Sequence, residues 1–185
     1  MIGILVLIAI FFLVTYNGLV KKDEKVKLQW NEVQNAYQRR LDLVPNLVNT
    51  VKGGAEYEQN TLEQIAAARA KAAAMTGSAE PNAGDYNAQG QAQDDLAKAT
   101  NRLLITVEKY PELQGSRAFR TLQTQLERTE LRIKMARKDF NAAVQDYNTS
   151  VRNFPKKIVA GTFGFKAKEG FTSDAGAEHA TEIKF

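Results

Sequence analysis

SRAFRTLQTQLERTELRIKMARKDFNAAVQDYNTSVRNF, residues Ser116–Phe154, is the stretch on which the fold turns. Its apolar or small positions are Phe119, Leu122, Leu126, Thr129, Ile133, Ala136, Phe140, Ala143, Tyr147 and Val151, recurring at steps of three and four. That near-seven-residue period marks one helix presenting a stripe to partner helices. Ser116 suits the N-cap, and Pro155 stops the helix at the far end. Arg128, Lys134, Arg137, Lys138 and Asp146 fall on the other faces. A helix this long spans about 58 Å at about 1.5 Å per residue. It cannot bury its stripe alone, so the rest of the chain has to supply covering helices.

Those partners are legible upstream. Leu96, Ala99, Leu103, Val107 and Tyr110 share one face of a helix ended by Pro111, and Glu112–Gly115 makes a short turn into the long helix. Gly90 and the glutamines before Leu96 predict weak first turns. Thr76–Asp85 (TGSAEPNAGD) reads as a loop, with Gly77, Pro81 and Gly84 inside it. Ala55–Met75 is an alanine-dense helix whose stripe is Leu62, Ile65, Ala68, Ala72 and Met75, with Arg69 and Lys71 at its edge. Before it, Val26, Trp30, Val33, Tyr37, Leu41, Val44, Val48 and Val51 keep helical spacing. Pro45 removes one amide donor and frees the carbonyl of Leu41, so a kink is expected there and the true break at Gly53-Gly54. Trp30, Tyr37, Tyr110 and Tyr147 sit on apolar faces and read as core aromatics.

The N-terminus is different. Ile2–Tyr16 (IGILVLIAIFFLVTY) carries no charge, and Asn17–Val20 extends it towards the roughly twenty residues of a spanning helix. No basic n-region and no Ala-x-Ala site marks it for cleavage. It is read as an anchor over residues 1–20. No glycine or proline lies between Lys21 and Val44, so the anchor is expected to run straight into the next helix as a stiff stalk. Lys21, Lys22, Lys25, Lys27, Arg39 and Arg40 all follow the segment, which puts the C-terminal part of a single-pass membrane protein in the cytoplasm and the N-terminus outside.

The 185 residues have 25% charged side chains, a net charge of +4 and no cysteine. Disulfides, thiolate metal sites and lipid-attachment cysteines are therefore out. Interspersed signs without a basic aromatic run argue against nucleic acid. The single histidine, His179, has no Cys or second His to complete a site, no carboxylate has the Glu-x-x-His spacing of helical di-metal sites, and no phosphate loop is present. No catalytic residue, cofactor or metal is expected. The Asn148-Thr-Ser150 sequon lies in a helix and is taken as coincidence. From Pro155 to Phe185 lysines alternate with aromatics and Gly161, Gly164 and Gly170 interrupt any period, so residues 155–185 read as an extended tail, with Phe154, Phe163, Phe165 and Phe171 as its candidate interaction residues and Thr172–Ala180 mobile.

Several separated motifs in order resemble the LemA family: YNGLV at Tyr16–Val20, RRLDLVPNLVNTVKG at Arg39–Gly53, LEQIAAARA at Leu62–Ala70, LLITVEKYPEL at Leu103–Leu113, TLQTQLERTELRIKMARKDFNAAVQDYN at Thr121–Asn148 and FPKKIVAGTFGF at Phe154–Phe165. The likeness covers roughly residues 16–171 apart from 79–94. It implies an antiparallel bundle of about four helices behind a membrane anchor, with both halves around Pro45 helical. The lipobox cysteine of some relatives is missing, which favours a helical anchor.

Within those motifs Arg39, Arg40, Asp42, Glu108, Glu130 and Arg132 are either solvated faces or an interhelical polar network. Thr129 breaks the apolar stripe, and an arginine of the Arg39–Arg40 pair is expected to meet Glu130 there. The functional expectation is an all-α, antiparallel four-helix bundle over residues 21–154. It is non-enzymatic and anchored in membrane lipid, and acts as a homo-oligomeric scaffold or membrane organiser. The alternative is a sensory or regulatory accessory of another membrane protein.

Overall fold

A computed structural model describes residues 2–52, 59–76 and 83–172. Among the described residues six helices follow in order: α1 (Ile2–Lys52), α2 (Gln59–Ala74), α3 (Ala83–Val107), α4 (Pro111–Gly115), α5 (Arg117–Arg152) and α6 (Lys156–Thr162). There is no strand among the described residues. The chain is all-α, as its periodicity requires.

α1 is unbroken over 51 residues, about 76 Å at about 1.5 Å per residue. Its N-terminal part is long and apolar enough to cross a membrane, and the large apolar side chains from Ile2 to Val14 are exposed or half-exposed. From Thr15 onward the same helix turns a buried face inward. Helix continues through Pro45, and the carbonyl of Leu41 that Pro45 cannot satisfy accepts instead from Arg69 Nε of α2 at 3.1 Å. The Gly53-Gly54 break lies outside the described residues.

α5 begins as its sequence dictates: Ser116 Oγ accepts from Phe119 N at 3.2 Å. Its stripe is buried from Phe119 to Val151, with Leu122 half-buried. α1 and α5 run antiparallel along one another, since Lys22 pairs with Asp146, Trp30 meets Phe140, and Arg40 reaches Glu130. α2 and α3 are likewise antiparallel, tied by Lys71–Asp95 at 3.1 Å and Arg102–Gln64 at 3.3 Å.

Three local expectations are corrected. α3 starts at Ala83, so Gly84 and Asp85 are helical, and Gln89 and Gln93 are buried partners of other helices, which is why turns that looked weak are held. Met75 is exposed beyond the end of α2. The tail, read as extended from residue 155, opens with α6. It buries Val159 and Ala160 and closes in a Schellman arrangement: Gly164 has φ 76° and Phe165 N donates to Ala160 O at 2.9 Å. Among the described residues that follow, 165–172 run without regular structure.

The core has two apolar clusters. One, towards the apolar end of α1, gathers Leu19, Val26, Trp30, Val33, Tyr37, Tyr86, Phe140 and Tyr147. The other gathers Leu41, Val44, Leu47, Ile65, Leu96, Leu103, Phe119 and Leu126.

Candidate functional site

Between the two clusters lies a buried polar layer. Arg40 is 1% exposed, and Gln93 and Thr129 are buried beside it. Arg40 Nη1 donates to the Gln93 carbonyl at 2.7 Å and to its side-chain oxygen at 3.3 Å, while Nη2 donates to Glu130 Oε2. Three helices, α1, α3 and α5, are thereby pinned at one level. Thr129 Oγ1 returns to its own helix at the Gln125 carbonyl, 2.8 Å away. Arg40 Nε and Gln93 Nε2 make no hydrogen bond.

A second arginine works one turn nearer the apolar end. Arg137 Nε donates to Tyr37 Oη at 2.8 Å, its terminal nitrogens reach both oxygens of Asp94 at 2.9 and 3.3 Å, and Nη2 also reaches the Gly90 carbonyl at 3.3 Å. The guanidinium stacks on Tyr37 and Phe171, 5.4 and 5.3 Å from their ring centroids. Burial raises the Tyr37 phenol above its ordinary value, with the Arg137 charge pulling partly back. Burial alone lowers Arg137, but Tyr37 and Asp94 hold it above its ordinary range.

Beside Arg137, Trp30, Tyr86, Phe140 and Phe171 form an aromatic cluster from α1, α3, α5 and the C-terminal segment, with centroids 4.5 to 6.2 Å apart. Phe171 is brought there by two asparagines of α5. Asn148 accepts from Lys168 N at 2.8 Å and donates to Lys168 O at 2.6 Å. Asn141 accepts from Phe171 N at 2.9 Å and donates to Phe171 O at 3.1 Å. The spacing is geometric: seven helical residues rise about 10.5 Å, and three extended residues span about 10 Å. A Cβ on Gly170 would lie 2.5 Å from Asn141 Oδ1, so any side chain there has to displace the amide that holds Phe171.

Of the residues singled out from the sequence, Arg40 and Glu130 are brought together. Arg39, Asp42, Glu108 and Arg132 are exposed and lie outside this layer, Asp42 accepting from Gln38 at 2.8 Å. Phe165 and Phe171 pack on the core, while Phe154 and Phe163 are exposed. His179 lies outside the described residues. Sequence reading puts Arg137 on an outer face, sets Asn148 aside as a chance sequon, counts Gln93 among glutamines that weaken the start of α3, and gives Asp94 and Asn141 no role. Arg137 is one residue off the stripe position Ala136, which puts it at the stripe's edge and in reach of α3. Among the described residues no group of acids and histidine is arranged to hold a metal.

A sequence profile of the LemA family matches residues 29–185. The chain is also similar to the magnetosome proteins MamQ 2 and MamQ 1 of Paramagnetospirillum magneticum, each 27% identical over 177 residues, 86% of this chain and 65% of theirs. Magnetosome protein MamQ of Magnetospirillum gryphiswaldense is 27% identical over 194 residues, 92% of this chain and 71% of its own length. The chain thus spans 65% of the length of the first two relatives.

Proposed function

The chain belongs to the LemA family, and from that premise we propose that it is a non-enzymatic, membrane-anchored protein. In this reading it is an antiparallel four-helix bundle that works as a self-assembling scaffold in the bacterial membrane, with the bundle in the cytoplasm. The observation that carries this is the continuity of α1. The exposed apolar segment ending at Val14 and the buried face beginning at Thr15 and Leu19 belong to one helix with no hinge. Whatever orders the bundles therefore orders the anchors. The kinship with magnetosome proteins supports a membrane setting. The positive flank from Lys21 to Arg40 supports the orientation. The buried polar groups are committed to holding helices together, which suits a structural role.

The experiment is extraction from membranes in mild detergent followed by mass photometry and crosslinking. The expected result is retention in the carbonate-washed membrane fraction and a discrete oligomer of the 20.6 kDa chain. A monomer at every concentration removes self-assembly. Exposed Leu131 and Met135 on α5 and Ile105 on α3 favour a second reading, an accessory subunit of another membrane protein. Recovery of one stoichiometric partner in place of an oligomer selects it.

A further inference from the structure

α6 packs against the wrong part of α1 for a domain that stands clear of a bilayer. Phe163 touches Tyr16, their ring centroids 4.8 Å apart, and Phe165 lies 5.7 Å from the same ring. Ala160 shares a core cluster with Leu19. Thr15 and Leu19 are 6% and 1% exposed, so protein covers this face of the apolar segment's last turns. Tyr16 lies four residues, about 6 Å, on the apolar side of Val20. A side chain that reaches Tyr16 is therefore at the depth where a bilayer interface falls.

The surface there has interfacial chemistry. Phe154 is 83% exposed, Ile158 54% and Phe163 51%. Exposed Arg152, Lys156, Lys157 and Lys166 alternate with them. Lys22 and Lys168, by contrast, are engaged by Asp146 and Asp23. Apolar side chains interleaved with long basic ones match a membrane interface, where rings sit among headgroups and ammonium groups extend to phosphates.

We propose that α6 and its flanks form a second membrane contact: Phe154, Ile158 and Phe163 insert at the headgroup level beside the anchor, and Lys156, Lys157 and Lys166 engage anionic lipid phosphates. The bundle then sits on the bilayer instead of standing off on a stalk. This rests on the reading that Ile2–Val20 lies in a bilayer.

The chain has no native cysteine, so single nitroxide labels can be placed on the full-length protein at F154C, I158C, I10C and I105C. Each is reconstituted in phosphatidylcholine vesicles with and without phosphatidylglycerol, and the ratio of oxygen to nickel-chelate accessibility is read. Circular dichroism confirms retained helix. The expected result is a lipid-type ratio at 10, an interfacial ratio at 154 and 158 that shifts deeper with phosphatidylglycerol, and an aqueous ratio at 105. Aqueous ratios at 154 and 158 with a lipid ratio at 10 overturn the proposal and leave the anchor standing. An aqueous ratio at 10 overturns the anchor reading itself. Spin–spin broadening at 158 that disappears only when labelled chains are diluted with unlabelled ones means a second copy covers the face, and also overturns the proposal. Equal depth in both lipid mixtures overturns the part assigned to the lysines.

Discussion

Arg40 is a full charge placed where almost no solvent reaches, and its value lies in what it fixes. Burying an ion pair rarely adds net stability, but removing one partner leaves the other uncompensated. Glu130 is 46% exposed, so water screens part of the loss. E130A is expected to cost about 2 kcal/mol, below the roughly 3–5 kcal/mol of a fully enclosed pair. R40A is expected to cost more, because the buried Gln93 backbone and side-chain oxygens also lose the Arg40 donor, while R40M keeps the volume and is milder. The cycle R40M, E130A and the double variant should give a coupling of about 1–2 kcal/mol by urea unfolding of the full chain in mild detergent; a coupling near zero removes the pair as a register pin. Tyr37 makes a pH prediction. Its folded pKa is raised above the unfolded value of about 10, so folding favours the protonated phenol. That contribution is complete below about pH 10 and is lost as pH rises through the folded value. Y37F should cost about 1 kcal/mol at neutral pH, through the lost bond from Arg137. It should also flatten the alkaline fall in stability above about pH 10; an unchanged alkaline slope would show that Tyr37 does not carry it.

At the scale of single elements, Pro45 and Arg69 belong together. Proline cannot donate to the Leu41 carbonyl, and Arg69 of α2 does so from outside the helix. P45A restores the intrahelical donor. R69A is therefore expected to cost about 1 kcal/mol in the natural chain and close to nothing in the P45A background. Equal costs in both backgrounds would falsify the division of labour. The C-terminal segment gives the second case. G170A places a methyl on Asn141 Oδ1 and should free residues 165–172 from α5. Faster amide exchange at Lys168 and Phe171, with helix content unchanged, is the expected reading, and N141A should reproduce it. The sequence showed less here than elsewhere. Stripe positions from Phe119 to Val151 announced α5, because one buried face repeats every three or four residues. Nothing periodic announces an extended segment stapled by two side-chain amides, since its partners are polar residues off the stripe. α6 carries a signal that its neighbours outweigh: Gly164 is the left-handed residue that ends a helix, but together with Gly161 and Gly170 it reads as interrupting any helical period in an extended tail. Gln89 and Gln93 mislead similarly, because buried amides look like surface ones until their partners are known.

For the whole molecule, the consequence of an uninterrupted α1 is mechanical. The absence of glycine and proline between Lys21 and Val44 made that continuity readable from sequence, whereas the partners that brace it, Asp94 for Arg137 and Gln93 for Arg40, depend on which helices meet and were not readable. A rigid helix transmits angle as well as position, at about 100° per residue. Inserting two leucines after Leu13 leaves the α6 contacts at Thr15, Tyr16 and Leu19 in place but rotates the outer anchor by about 200° relative to the bundle. Four leucines rotate it by about 400°, only about 40° from its original facing, while lengthening it by about 6 Å. If anchors and bundles assemble on one continuous face, the two-residue insertion should reduce the oligomer seen by mass photometry and the four-residue insertion should largely restore it. An oligomer indifferent to both insertions would mean that the bundles associate without their anchors, and a loss that simply grows with insertion length would point to anchor thickness instead of facing.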